Sequence, residues 1–103
     1  TLTEGINTTI AEVRGYYKAK MWSETEYILE LSKDMKPEMQ AKLMAEVTQL
    51  TENPDSVALT ILCEDIDDDR KIYYITSVYM AHLRSLQYIH QMLAENKMAS
   101  DKQ

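Results

Sequence analysis

The sequence predicts an all-α protein, a four- to five-helix bundle with a long C-terminal helix. Three observations carry this. Only 2 Gly and 2 Pro occur in 103 residues, too few for a sandwich or barrel that turns every ten residues or so. Hydrophobic residues make up 45% of the chain, which supplies a core and excludes the composition of disordered chains. Apolar positions recur at steps of three and four, the period of a helix with one buried face. At this length one domain over residues 1–103 is expected, with 98–103 as a frayed polar tail.

The elements follow in order. Thr1 and Glu4 have the spacing of a capping box, and Ile6, Ile10, Val13 and Tyr17 form a stripe, so a first helix is expected over about 2–21. Gly15 inside it suggests a close helix crossing. Ser23 and Glu26 repeat the capping-box spacing ahead of Tyr27, Ile28, Leu31 and Met35, which predicts a second helix that stops before Pro37. Pro37 suits the first position of a third helix, whose stripe is Met39, Leu43, Val47 and Leu50. Asn53-Pro54 reads as a stop and a new start. The apolar run 57–63 then reads as a short buried helix, with a strand as the alternative. The last helix, over about 68–97, has a heptad seam at Ile72, Ile75, Tyr79, His82, Leu86, Ile89 and Leu93, flanked by Val78, Leu83 and Met92.

Charge narrows the function classes. The formal net charge is −6, and residues 22–69 hold 13 acidic and 3 basic side chains. No continuous basic footprint exists, so direct nucleic-acid binding is not expected. No apolar run approaches the length of a membrane span, and no secretory signal pattern opens the sequence. A cytoplasmic or nuclear location is the expectation. The single Cys63 excludes an intramolecular disulfide and a Cys-rich zinc site.

Chemistry-bearing motifs are few. Asp65, Asp67 and Asp69 have the spacing that opens a calcium loop, but Arg70 stands where the turn needs Gly and Thr76 where a bidentate Glu belongs. No metal is expected. The acidic cluster Glu64, Asp65, Asp67, Asp68 and Asp69 reads first as helix-start chemistry, and second as a docking patch for a basic partner. His82 and His90 lie eight apart, without the Glu-x-x-His pattern of di-iron bundles, so His82 is expected as a hydrogen-bonded core side chain. Cys63 in its apolar run reads as inert packing. No phosphate loop or nucleophile elbow occurs, so neither catalysis nor a cofactor is expected. Outside the seam of the last helix stand Tyr73, Tyr74, Met80, Arg84 and Tyr88. These residue types are enriched at interfaces, which predicts a protein partner, in a homo- or hetero-oligomer, on that face.

The segment 70–80 resembles the long helix of the helical domain in GINS subunits, especially the Sld-five type. The resemblance is carried by Lys71, Ile72, Tyr74, Ser77 and Tyr79, a basic residue followed by an aliphatic, an aromatic, a serine and an aromatic. It departs at Ala81, His82 and Leu83, where the family carries a basic run. The family's small β-rich domain has no counterpart in these residues. The resemblance implies an isolated helical domain or reduced homologue, one subunit of a tetramer that activates the replicative helicase without catalysis of its own. Tyr74, Ser77 and Tyr79 would lie on its subunit-packing helix. The alternative expectation is a small acidic regulator or inhibitor, of phage or plasmid type, that binds a basic nucleic-acid-handling protein.

Overall fold

A computed structural model describes the backbone of residues 2–101 and the side chains of residues 5–99. The chain forms three helices, α1 (Leu2–Ser32), α2 (Pro37–Leu62) and α3 (Asp68–Asp101), and no strand occurs among the described residues. The all-α expectation holds, while the four to five helices become three. The Thr1–Glu4 capping box lies outside the described residues.

Two expected breaks are not breaks. α1 runs straight through Ser23, which is exposed in mid-helix. A capping box acts only where the chain has a reason to start a helix, and no Gly or Pro interrupts residues 16–36. The stripe also continues in phase, from Ile6, Ile10 and Tyr17 to Met21 and Ile28, and all but half-buried Tyr17 are buried. α2 likewise runs through Pro54. Proline removes the hydrogen bond to the carbonyl four residues back and ordinarily costs about 3 kcal/mol. Here its ring is fully buried and in phase with Val47 and Ala58, so it fills a core position. The run 57–63 is helical through Leu62, but as the end of α2 and not as a short buried helix of its own: only Ala58 is buried and Leu59 is 66% exposed.

Both turns are built from sequence-local chemistry. α1 ends in hydrogen bonds from Met35 N–H to the Ser32 carbonyl at 3.0 Å and from Lys33 N–H to Glu30 at 3.5 Å. Pro37 then occupies the first turn of α2, as its fixed φ allows. At the other end Cys63 caps α2 and is exposed, not packed in a core as expected. The Asp67 carboxylate accepts the Arg70 N–H at 2.9 Å and so caps α3, with Asp68 and Asp69 in the first turn. Lys71 Nζ donates to the Leu62 carbonyl at 2.9 Å, which pairs a free end of α2.

α1 and α2 each pack along α3 and touch one another far less. α3 is therefore the central element of a body 60 × 23 × 16 Å in extent. Its seam behaves as the heptad predicts: Ile75, Tyr79 and Leu86 are fully buried, with Ile72, Ile89 and Leu93 packed around them. Leu83, expected to flank the seam, is buried as well. The helix continues to Asp101, beyond the expected end near Lys97 and through part of the expected tail.

Gly15 serves no helix crossing. It is exposed, and a Cβ placed on it would meet nothing within 4 Å. Glycine in an open helix interior costs conformational entropy without return, so Gly15→Ala should stabilise the chain by about 1 kcal/mol. Chemical denaturation with unchanged slope would read this directly, and a loss of stability would show that the position is not open.

Candidate functional site

Only α1 and α2 pack against α3, and the side they leave open carries aromatic residues. Tyr73 is 68% exposed, Tyr88 64% and Tyr74 47%. Arg84 is exposed and Met80 half-buried. At 100° per residue Tyr73, Met80, Arg84 and Tyr88 fall within an arc of about 80°, opposite the buried Ile75, Tyr79 and Leu86. Tyr74 stands to one side, its ring edge-to-face with Tyr73 at 5.7 Å between centroids. The five residues named from sequence thus divide into an outward strip of four and a flanking tyrosine.

The acidic residues lie at the N-terminal end of that strip, with Asp69 one turn before Tyr73. Glu64 and Asp65 occupy the α2–α3 turn, and Asp67, Asp68 and Asp69 begin α3. Asp67 is engaged in capping and also pairs with Arg70 at 3.7 Å. Glu64, Asp65 and Asp69 are exposed.

The buried seam turns the strip outward, and a contact not foreseen from the sequence ties α3 in that orientation. Asp55, on α2 directly after Pro54, accepts hydrogen bonds from three side chains on two other helices. Arg14 Nε reaches it at 3.0 Å and Lys18 Nζ at 3.1 Å, both from α1. The Tyr79 hydroxyl donates to it from α3. Lys18 also donates to the Thr51 carbonyl, one turn before Asp55 and beside the helical bond that Pro54 cannot make. The Tyr79 ring is stacked near Tyr17 at 6.2 Å. A signal was present: a seam tyrosine brings a hydroxyl that needs a partner when buried.

The electrostatics follow from this geometry. Burial alone would raise the Asp55 pKa. The hydrogen bonds from Tyr79, Arg14 and Lys18 outweigh it, and the carboxylate is held below its ordinary range. Burial first, then the bond to Asp55, pushes the Tyr79 phenol above its ordinary range, so it stays a donor at any physiological pH.

Both histidines are engaged. His82 Nδ1 lies 2.7 Å from the Val78 carbonyl, so it carries the proton, and Nε2 then accepts from Asn53 Nδ2 at 3.0 Å. His82 is half-buried and hydrogen-bonded, against the edge of an open groove of 570 Å³ between α2 and α3. His90 Nδ1 lies 2.6 Å from Glu24 and its ring stacks on Tyr27 at 4.9 Å, tying α3 to α1. Ser85 donates to the Ala81 carbonyl at 3.2 Å, not to His82. No group of three His, Cys, Asp or Glu able to hold a metal ion occurs among the described residues. No helix among them is long and apolar enough to cross a membrane.

The sequence pattern singles out neither Tyr16 nor Trp22 and places Tyr27 on an apolar face, yet Trp22 is 67% exposed and Tyr16 and Tyr27 are more than half exposed. Their positions fall outside the α1 stripe, which was the available signal. Comparison of the chain with protein-family models, with curated proteins and with solved structures finds no match. The functional reading therefore rests on the chemistry of the surface.

The Asp55 contact sets a pH dependence. The folded carboxylate binds its proton more weakly than the unfolded one, whose ordinary value is 3.8. Its contribution is thus present above that value and lost as pH falls through the lower folded value. Lowering the pH from about 6 to about 3 should destabilise the native chain more than Asp55→Asn, measured as the change in urea midpoint. Equal slopes for the two proteins would show that Asp55 makes no net ionised contact.

Proposed function

We propose that this chain is a non-catalytic subunit of a larger assembly and that it docks on a protein partner through the outer strip of α3. The observation that carries this is the pair of open tyrosines, Tyr73 and Tyr88, on one helix face with Arg84 between them. Monomers seldom leave large aromatic side chains grouped in water, whereas tyrosine and arginine concentrate at binding hot spots. The named case is a GINS-like complex that activates a replicative helicase. Its support is the pattern at Lys71, Ile72, Tyr74 and Ser77, and Tyr79, the last of that pattern, faces the chain's own core.

A second reading is favoured by one observation. Glu64 and Asp65 are exposed in a turn whose neighbours are also acidic, which suits a small acidic regulator that binds a basic nucleic-acid-handling protein. The two readings place the contact on neighbouring stretches, the α2–α3 turn in one and the face of α3 beyond it in the other.

The test is association with stoichiometric partners recovered from native extract. Tyr88→Ala should weaken that association by about 2 kcal/mol, roughly thirtyfold, with helicity and melting of the isolated chain unchanged. Glu64→Lys with Asp65→Lys should leave it nearly intact. The reverse ranking would favour the acidic regulator, and unfolding of Tyr88→Ala would place Tyr88 in the core.

A further inference from the structure

The outer strip of α3 has an internal order that the docking proposal does not use. Read from its middle, between Met80 and Ala81, it is close to self-complementary when reversed. Tyr73 and Tyr88 stand at equal distances from that point, as do Ser77 and Arg84. Further out, Arg70 lies towards one end and Glu95 towards the other, both exposed and both on the strip's arc. The strip from Arg70 to Glu95 is about 37 Å long at 1.5 Å per residue.

We propose that the occupant of this strip is a second copy of the chain, packed antiparallel about a two-fold axis through the Met80–Ala81 level. This rests on the reading of the strip as an interface and names its partner. In that register each Tyr73 meets Tyr88 of the other copy. Each Arg84 meets Ser77, a small residue that leaves room for its guanidinium. Ala81 lies at the axis, where its small side chain lets the helices approach. Helical side chains lean towards their own N-terminus. In an antiparallel pair Arg70 and Glu95 therefore lean towards one another from facing copies and close the strip with two opposite-charge pairs.

Charge also decides the orientation. In a parallel pair every residue meets its own copy, so Arg70 would face Arg70, Arg84 would face Arg84 and Glu95 would face Glu95. Reversal replaces three like-charge encounters by two attractive ones and by the Arg84–Ser77 match. Arg70 and Glu95 lie four residues out of strict reflection, about 6 Å along the axis, a gap that their converging side chains span, and a second copy supplies both charges at once. The strip is one helix wide, so the dimer belongs to the small, concentration-dependent class of interfaces.

The experiment uses the full chain, with Cys63→Ser to remove the exposed thiol. Sedimentation equilibrium over a wide concentration range should show monomer passing to dimer. Glu95→Arg should weaken the dimer by about tenfold, since each substitution acts twice across a two-fold axis. Adding Arg70→Glu to Glu95→Arg exchanges the charges and should restore association to within a few-fold of the parent. Under mild oxidation Ala81→Cys should cross-link to its own copy, while Gln91→Cys should not. A parallel pair would cross-link at both.

A chain that stays monomeric at every concentration overturns self-pairing. So does a dimer that ignores Glu95→Arg, or one that the charge exchange fails to restore. The docking proposal is judged separately: if the monomeric chain still loses its native partner through Tyr88→Ala, the strip is an interface for another protein.

Discussion

Asp55 is where the three helices are tied to one another. Its carboxylate takes two cations from α1 and a phenol from α3, and its side chain is 31% exposed. The three arms are not equal. Arg14 is the most exposed partner, and a solvated ion pair contributes little. Lys18 is half-buried and gives a second hydrogen bond to the Thr51 carbonyl, which ties α1 to α2, the pair of helices in least contact. Tyr79 is fully buried apart from this one polar need, so the bond to Asp55 fixes how α3 is rotated about its own axis.

That rotation decides what the surface presents. With Tyr79, Ile75 and Leu86 turned inward, Tyr73, Arg84 and Tyr88 have no choice but to face water. With only α1 and α2 to pack against it, α3 keeps one face uncovered. The exposed aromatic strip is thus a consequence of helix number as much as of residue choice. The His90–Glu24 contact, with Tyr27 stacked on the imidazole, repeats the tie between α1 and α3 farther along.

The long last helix was legible because its seam keeps one phase over three heptads and because Asp67 supplies a cap at its start. The fold class was legible for the same reason. The number of helices was not. Ser23–Glu26 has the form of a start signal, and only the unbroken phase from Tyr17 through Met21 to Ile28 shows that the chain had no need of one. Asn53-Pro54 looks like a stop because proline usually is. Its in-phase place between Val47 and Ala58 makes it a core side chain instead, and the misreading hid the aspartate that follows it. The outer residues of α3 followed from heptad position alone. The Asp55 contact needed the third dimension, since Arg14, Asp55 and Tyr79 are far apart in sequence and nothing local relates them.

The bond between Tyr79 and Asp55 holds α3 in its rotation. A double-mutant cycle with Tyr79→Phe and Asp55→Ala, read by chemical denaturation at neutral pH, isolates that bond from the other arms of the carboxylate. A coupling energy of about 1.5–3 kcal/mol is expected for a hydrogen bond from a buried phenol to a charged acceptor. Additive effects, with no coupling between the two positions, would contradict the claim that this contact sets the rotation of α3.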